Sequence, residues 1–163
     1  MRVFINGFGR IGRTMLRAHA AGGWPEIEIV GINDIADPEL CAHLFAYDSV
    51  FGPFAGQVAY ADGALVVNGQ PIPMTRQADI SNVDLAGVDV LLECTGKADT
   101  RDVATRGLQA GAGRVLISGP SKAADLTVVL GANDAELADQ PVVSNASCTT
   151  NALAPLVRLL DDT

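Results

Sequence analysis

A glycine-rich turn near the amino terminus constrains the fold of this chain more than any other feature. The segment NGFGRIG supplies Gly7, Gly9 and Gly12 in a G-x-G-x-x-G pattern, directly after an apolar run over Arg2–Asn6. Apolar residues then recur at the spacing of an α-helix until a pair of glycines ends the pattern. A strand, a glycine turn and a helix in this order predict the first unit of a dinucleotide-binding fold.

The three glycines have separate mechanical roles in such a turn. The first permits a tight turn, the second lets the backbone approach a pyrophosphate, and the third allows the helix to pack closely on the strand. Arg10 lies in the first turn of the predicted helix, where the helix dipole disfavours a cation. A bound anion would offset that penalty, so the loop is predicted to bind a pyrophosphate.

An acidic residue follows at the interval that this motif requires. Asp34 directly follows the next predicted strand, Glu26–Asn33, about 20 residues after the glycine loop. Its carboxylate can accept hydrogen bonds from the adenosine ribose and would repel a 2′-phosphate, so NAD is predicted rather than NADP. The alternative interpretation of Asp34 is a helix cap or a solvated loop acid.

The remaining pattern alternates strands with helices. A helix is predicted over Pro38–Ala46 with Asp37 as its cap. Residues 56–74 alternate in polarity around Asp62-Gly63 and Asn68-Gly69 turns, which indicates an antiparallel meander. Further strands, and a helix over about 99–110, are predicted in the second part of the chain: Val88–Glu93, Arg114–Ser118, Leu126–Leu130 and Val142–Ser144.

This order predicts an α/β fold, a doubly wound Rossmann sheet that is mostly parallel and carries an antiparallel meander insertion. We expect a dinucleotide-binding domain over residues 1–147. Residues 148–163 would form a helix that carries a nucleophile and leads toward a second, catalytic domain that this chain lacks.

Composition excludes several other classes of function. The net charge of −8 opposes nucleic-acid binding, which needs a basic face. The sequence contains neither a secretory signal nor an apolar run long enough to span a membrane. Three widely spaced cysteines and two histidines predict neither a disulfide framework nor a metal site, and they indicate a cytoplasmic protein with reduced thiols.

One of those cysteines lies in a distinctive setting. In the segment SNASCTTN, Cys148 stands between Ser147 and Thr149, where an apolar strand is expected to turn into a helix. The thiolate is the reactive form of cysteine, and a helix N-terminus favours it. The flanking hydroxyls could cap the helix, and its free N–H groups could hold an oxyanion. We interpret Cys41 and Cys94 as small buried hydrophobic residues.

Five segments together carry a family resemblance. In order along the chain they are INGFGRIGR, IND, YDS, ECTG and SNASCTTN. Together they resemble the N-terminal half of the glyceraldehyde-3-phosphate dehydrogenase family. The resemblance implies an NAD-dependent phosphorylating aldehyde oxidation, a step of glycolysis and gluconeogenesis, with glyceraldehyde 3-phosphate and phosphate as small-molecule substrates. It also implies a homo-oligomer, which is a tetramer for the full-length family.

The same resemblance implies roles for individual residues. Cys148 would attack the aldehyde, and Ser147 and Thr149 would bind the substrate phosphate or the attacking phosphate. The implied cofactor contacts run from the pyrophosphate loop through the ribose and adenine to the nicotinamide side of the cleft: Gly7, Gly9, Arg10, Ile11, Gly12, Asp34, Arg76, Thr95, Gly96 and Ser118.

The chain also departs from the family pattern. The family's usual HGRF reads FGPF over Phe51–Phe54, and its usual SAPAK reads SGPSK over Ser118–Lys122. The family's histidine base belongs to the second domain, and we interpret His19 and His43 as structural. We therefore expect the chain to bind NAD without turnover, and to self-associate through apolar surface that a complete enzyme would bury.

Other functions stay open at this point. A free-standing dinucleotide-binding or redox-sensing module could use Cys148 without turnover. Erythrose-4-phosphate dehydrogenase is a close relative, although it tends to carry glutamate at the position of Asp34. Aspartate-semialdehyde dehydrogenase also has a cysteine in an N-C-T-T context, but its glycine loop has a different spacing.

Overall fold

The computed structural model describes residues 1–161, which fold into a large sheet flanked by helices. The α-helices are α1 (Arg10–Ala20), α2 (Pro38–Ala46), α3 (Arg101–Gln109) and α4 (Cys148–Asp161). The strands are β1 (Arg2–Asn6), β2 (Glu28–Asn33), β3 (Tyr47–Asp48), β4 (Gly52–Pro53), β5 (Val58–Ala61), β6 (Ala64–Val67), β7 (Gln70–Thr75), β8 (Val90–Glu93), β9 (Arg114–Ile117), β10 (Leu126–Thr127) and β11 (Val142–Ser144). Single turns of 3₁₀ helix occupy Ile80–Asn82 and Asp134–Glu136.

Nine strands form one sheet in the order β10-β11-β9-β8-β1-β2-β7-β6-β5. The neighbours from β10 to β7 pair in parallel, whereas β7, β6 and β5 pair antiparallel. Strands β3 and β4 form a separate antiparallel pair. The prediction of a doubly wound, mostly parallel sheet with an antiparallel meander is therefore confirmed.

Helices lie on both faces of the sheet, which explains why the central strands are nearly continuous apolar runs. On one face, Ile5 and Ile32 pack with Leu16 of α1 and Phe45 of α2. On the opposite face, Phe4, Leu91 and Val115 pack with Ala104 of α3. Neighbouring residues of β1 thus enter different cores, as the alternation of side chains along a strand requires.

The two turns of the meander have the backbone that their sequences predict. Asp62 and Asn68 have φ angles of 50° and 51°, and the glycines that follow them have φ angles of 77° and 82°. Positive φ at both central residues is characteristic of type I′ turns, whose twist matches that of the flanking strands.

Four predicted strands are shorter in the structure, and those predicted over Val88–Glu93 and Arg114–Ser118 become Val90–Glu93 and Arg114–Ile117. The second strand begins at Glu28 rather than at position 26, because Ile27 N donates to Trp24 O and closes a turn before the sheet. The strand predicted over Leu126–Leu130 ends at Thr127. Beyond it, the Asn133 side chain bonds Val129 N and Thr127 O at 2.9 and 3.0 Å, which turns the chain away from its neighbour.

The helix expected to carry the nucleophile runs from Cys148 to Asp161, and residues 162 and 163 of the predicted segment lie outside the described residues. Within residues 1–161, no helix combines the length and the apolar character that crossing a bilayer would require.

Helix α4 presents apolar side chains to solvent. Leu153, Leu156 and Val157 are more than half exposed, and none of the residues of this helix is buried. Exposed apolar patches of this kind mark surfaces that associate with another surface. Self-association stays a prediction, and the exposed apolar face of α4 is the surface through which we expect it to occur.

We expect the sedimentation coefficient of the chain to rise with protein concentration. The double variant Leu153→Glu and Leu156→Glu should shift the association to at least tenfold higher concentration, because each charge must be desolvated in an apolar contact. Sedimentation velocity over a hundredfold range of concentration measures both chains. A monomer throughout that range for the unchanged chain would contradict the expectation.

Candidate functional site

A crevice of about 280 Å³ opens at the carboxyl ends of β1, β2 and β8. Ligands of open α/β sheets bind at this edge, where the order of the strands reverses. The crevice wall includes four residues from the predicted cofactor set: Gly7, Gly9, Asp34 and Thr95. Apolar side chains, among them Ile35, Ile80 and Val103, line another part of it.

The geometry of the glycine loop separates its three glycines. Gly7 has φ +93°, and a Cβ on it would lie 2.8 Å from the backbone of Cys94 and Thr95. A Cβ on Gly12 would lie 2.2 Å from the Gly7 carbonyl oxygen, so the protein's own packing excludes a side chain at both positions. A Cβ on Gly9 would meet nothing within 4 Å, which leaves open space on that side of the loop.

The start of α1 differs from the start of α2 in a way that indicates an external anion. In α2, Asp37 Oδ1 accepts hydrogen bonds from Glu39 N and Leu40 N at 3.0 and 3.2 Å. The cap of α1 is Gly9, which offers no side-chain acceptor, and the first turn contains no acidic residue. The partial positive charge of the α1 N-terminus therefore lacks a side-chain counterpart, and the loop fits the phosphates of a dinucleotide.

Asp34 joins the glycine loop to the end of β2. Its Oδ2 accepts a hydrogen bond from Phe8 N at 2.6 Å, and its Oδ1 accepts one from Ala36 N at 2.8 Å. Each carboxylate oxygen can accept a further bond, so this anchoring role is compatible with ribose binding. The sequence left a helix cap as an alternative role for Asp34. In the structure its carboxylate instead closes a local turn at Ala36 and holds the glycine loop at Phe8.

Arg76 comes next to this acid through strand pairing. The register of β2 and β7 aligns Asn33 with Thr75, which makes their successors neighbours. Asp34 N donates to Thr75 O at 3.1 Å, and Arg76 Nη2 donates to Ile35 O at 3.2 Å. The Arg76 guanidinium is thereby held beside the apolar end of the crevice.

Thr95 and Gly96 follow β8, and Ser118 follows β9. Thr95 donates its N–H, at 2.9 Å, and its hydroxyl to Glu93 Oε1. Gly96 has φ +71°, which turns the chain between Thr95 and Lys97, two residues that line the crevice. The Ser118 side chain interacts with the Cys94 thiol, and this interaction opposes the rise of the thiol pKa that burial causes.

The structure does not bring all predicted cofactor residues onto one wall. Arg10 and Ile11 lie exposed in the first turn of α1, next to Gly9 but outside the crevice lining. Gly12, Arg76, Gly96 and Ser118 also lie outside that lining. Arg10, Arg76 and Gly96 are each adjacent in the chain to a residue that lines the crevice, so a ligand longer than the crevice could reach them.

Cys148 is the first residue of α4 and is exposed. Ser147 caps the helix, because its Oγ accepts a hydrogen bond from Thr150 N at 3.1 Å. The same hydroxyl lies 2.9 Å from Thr149 Oγ1 and 2.7 Å from Thr150 Oγ1. Cys148 therefore stands at the positive end of a helix, next in the chain to a cluster of three hydroxyl groups.

Two features hold this turn in place. Ala146 has φ 58°, a left-handed backbone that lets the chain reverse direction between β11 and α4. Asn151 Nδ2 donates to Asn145 O and Ser147 O at 2.6 and 3.0 Å, which fixes the carbonyls before the helix.

A second, open cavity adjoins the thiol turn. Ser121, Lys122, Ser147 and Thr150 line it together with Asp99 and Pro120. Lys122 supplies a cation beside the hydroxyls, a combination that suits a phosphate group. Sequence reasoning missed Thr150, although the run of hydroxyl residues on both sides of Cys148 pointed to it.

Cys41 is buried and Cys94 is partly buried, and burial raises the pKa of each thiol to about 11. Cys41 projects from α2 into the core, while Cys94 Sγ lies 3.7 Å from Met15 Sδ. The part of the chain that the structure describes contains no group of three or more His, Cys, Asp or Glu residues placed to hold a metal ion.

Sequence reasoning also missed three buried polar side chains beneath the crevice. Asn6, Asn33 and Glu93 are at most 6% exposed, and each is the last residue of its strand. A polar residue that ends an apolar strand at the ligand-binding edge was the available signal for all three.

The geometry agrees with comparisons against known proteins. Residues 1–101 match the family model described as glyceraldehyde 3-phosphate dehydrogenase, NAD binding domain. A glyceraldehyde-3-phosphate dehydrogenase of Xanthobacter flavus is 50% identical over 99% of this chain and 49% of its own length. The corresponding protein of Pseudomonas aeruginosa is 49% identical over 98% of this chain and 49% of its own length, and a cytosolic form from Leishmania mexicana is 47% identical over 99% and 49%. The chain spans about half the length of these curated relatives.

Proposed function

Because the chain belongs to the glyceraldehyde-3-phosphate dehydrogenase family, through its NAD-binding domain, we propose that it supplies the cofactor half of a phosphorylating aldehyde dehydrogenase. Family membership confirms the resemblance inferred from the five sequence segments and the assignment of NAD as cofactor. The oxidation of glyceraldehyde 3-phosphate, the homo-oligomeric assembly and the cytoplasmic location belong to the proposal.

The uncapped N-terminus of α1 carries this proposal. Gly9 leaves open space beside free backbone N–H groups, and Asp34 lines the crevice next to the glycine loop, where a ribose would follow a pyrophosphate. We assign the pyrophosphate to Gly9, Arg10 and Ile11. The adenosine side is assigned to Asp34 and Arg76, and the nicotinamide side to Thr95, Gly96 and Ser118.

The thiol turn would perform the covalent chemistry. Cys148 Sγ, as the thiolate, would add to the aldehyde carbon. NAD, when bound, would supply the acceptor for the hydride that this adduct loses as it becomes a thioester. Hydrogen phosphate would then attack the thioester carbon, which would release the acyl phosphate, the thiolate and a proton. The hydroxyls of Ser147, Thr149 and Thr150 can bind phosphate oxygens during these steps, with Lys122 nearby as a countercharge.

Neither of the two histidines of the chain is placed to act as the general base for Cys148. His19 lies at the end of α1, and its Nε2 is 2.8 Å from Ile27 O, just before β2 begins. That is the amino edge of the parallel sheet, whereas Cys148 follows the carboxyl edge. The His43 ring packs in a tilted arrangement against the Tyr47 ring, with 5.0 Å between the ring centroids. We therefore propose that the chain alone binds NAD and produces no NADH at steady state.

Isothermal calorimetry with the Asp34→Ala variant tests the cofactor site. We expect saturable NAD binding by the unchanged chain and at least a tenfold loss of affinity in the variant, because the ribose contact and the brace on Phe8 N both disappear. NADP should compete weakly with NAD in the unchanged chain. Addition of glyceraldehyde 3-phosphate and phosphate to the NAD complex should give no steady increase in absorbance from NADH.

Asp37→Ala is the matched control. It also removes an acidic cap, at a cost to stability of about 1 kcal/mol, but Asp37 does not line the crevice. Its NAD affinity should equal that of the unchanged chain. Equal affinity in the Asp34→Ala variant, or an equal loss in both variants, would refute the assignment of Asp34.

A further inference from the structure

Four polar residues form one row across the floor of the crevice. Strand pairing aligns Glu93 of β8 with Asn6 of β1, Asn6 with Asn33 of β2, and Asn33 with Thr75 of β7. Paired residues of parallel strands project to the same face of a sheet. Their side chains are therefore able to bond along the row, at right angles to the strands.

Hydrogen bonds connect the row from end to end. Asn6 Nδ2 donates to Glu93 Oε2 at 2.6 Å, and Asn33 Nδ2 donates to Asn6 Oδ1 at 2.8 Å. At the other end, Asn33 Oδ1 accepts from Thr75 Oγ1 and from Gln77 N, each at 2.8 Å. We call these residues, Thr75, Asn33, Asn6 and Glu93, the polar row.

The two ends of the polar row determine the orientation of both amides. Asn33 donates to Gln77 O at 2.9 Å and accepts from Gln77 N, so the backbone at residue 77 permits one orientation of its amide. That orientation presents an N–H to Asn6, which must then present its own N–H to Glu93. The Glu93 carboxylate can only accept hydrogen bonds, so it requires the same orientation of the Asn6 amide that the backbone at Gln77 imposes through Asn33.

Glu93 also holds the loop at the opposite side of the crevice. Its Oε1 accepts hydrogen bonds from the N–H and the hydroxyl of Thr95. Lys97 N donates to the same hydroxyl at 3.2 Å, which leaves the hydroxyl proton for Glu93. The polar row thus connects the segment at Gln77 with the segment at Thr95, and both segments line the crevice.

We propose that Glu93 is a positioning residue for the cofactor, which sets the Thr95 loop and, through Asn6 and Asn33, the segment at Gln77 in one arrangement. This inference rests on the proposed NAD site. Because the two loops are already ordered in the folded chain, binding loses less conformational entropy. Glu93 thereby raises the affinity for the cofactor without contacting it. Within residues 1–161, Glu93 forms no ion pair, and its carboxylate accepts hydrogen bonds from the neutral groups of Asn6 and Thr95.

The Glu93→Gln variant tests the direction of the bonds with almost no change in shape. One oxygen of the carboxylate becomes an NH₂ group that must face a donor, either Asn6 or Thr95. Rotation of the Asn6 amide would only transfer the conflict to Asn33, whose orientation the backbone at Gln77 fixes. We expect NAD affinity to fall about tenfold, since a buried donor loses its acceptor.

The variant Asn6→Asp places an acceptor opposite Glu93 and should lower NAD affinity by a similar factor. In the double variant Glu93→Gln and Asn6→Asp, the new amide donates to the new carboxylate, which still accepts from Asn33. Every bond of the row is then restored with the same number of charges. We expect the double variant to regain most of the affinity that each single variant loses, and because each single loss is about tenfold, this defines a coupling of nearly a hundredfold.

Calorimetry measures NAD affinity and urea unfolding measures stability for the unchanged chain, the two single variants and the double variant. The control variant is Val115→Ala, which changes a buried residue outside the polar row. Val115→Ala should lower stability and leave affinity unchanged. Rescue of affinity in the double variant supports the proposal. Single variants that are less stable but bind NAD like the unchanged chain would overturn it, and so would a double variant weaker than either single variant. If the unchanged chain itself fails to bind NAD, the proposed function fails as well.

Discussion

The Gly12→Ala variant is expected to lose about 3 kcal/mol or more of its free energy of unfolding, whereas Gly9→Ala should keep its stability and lose NAD binding. The first change places a methyl group 2.2 Å from the Gly7 carbonyl oxygen and 3.2 Å from Ile5 Cγ2. Relief requires α1 to move away from β1, and the buried contacts of Leu16 would loosen with it.

Gly9 faces the opposite situation. A methyl group there meets no protein atom within 4 Å, and the backbone angles of φ −69° and ψ −161° are open to alanine. The change in stability should stay within about 1 kcal/mol. The methyl group would occupy the space that a pyrophosphate needs to approach the N–H groups of α1, so NAD affinity should fall at least a hundredfold.

Urea unfolding and calorimetry on the same two preparations separate these effects. Gly22→Ala provides a control for the loss of a glycine elsewhere, because this residue lies beyond α1 and away from the crevice. Its positive φ of 93° predicts a moderate loss of stability without a loss of affinity. Equal stability of Gly12→Ala and Gly9→Ala, or normal NAD binding by Gly9→Ala, would contradict the division of roles within the loop.

The fold could be predicted from the sequence because its signals are local. The G-x-G-x-x-G turn, the Asn-Gly and Asp-Gly turns and the apolar runs each act within a few residues. The ends of β2 and β10 were predicted less well, since a turn closed by Trp24 and a side-chain bond from Asn133 decide them. Such contacts leave no periodic pattern in the sequence.

In the candidate site, too, residues within local motifs could be predicted, whereas residues that meet only through strand pairing could not. Asp34 and Cys148 stand in motifs, so their positions could be read directly, and the paired strands bring Arg76 beside the acid. The polar row could not be derived, because it depends on which strands are neighbours and on their register. Asn6 and Glu93 are far apart in sequence, and only the sheet order β8-β1-β2-β7 makes them partners.

The three thiols should differ strongly in their reaction with iodoacetamide. At pH 8 we expect one label per chain, on Cys148, because that thiol is exposed at the start of α4. Burial raises the pKa of Cys41 and Cys94 to about 11, so only about one molecule in a thousand carries a thiolate at either position. Cys41 is also buried and Cys94 partly buried, so the reagent reaches these two sulfur atoms less readily than that of Cys148.

The dependence on pH follows from the same shift. A thiol with a raised pKa stabilises the folded chain below about pH 9, where the unfolded thiol also keeps its proton. This stabilisation is lost as the pH rises through 11, because the unfolded chain releases these protons first. Labelling of Cys41 and Cys94 should therefore increase within this window, while the unfolding midpoint falls.

Intact-mass spectrometry counts the labels, and peptide mapping locates them. The Cys148→Ser variant should take up no label at pH 8, and a Cys94→Ser control should still take up one. Both controls use the same reagent concentration, and unfolding the unchanged chain in guanidinium chloride should expose all three thiols. Two or more labels on the folded chain at pH 8 would contradict the assignment of Cys41 and Cys94 as structural, while an unlabelled Cys148 would remove its role as nucleophile. One label on Cys148 alone would leave the thiol turn as the reactive centre that an aldehyde could reach.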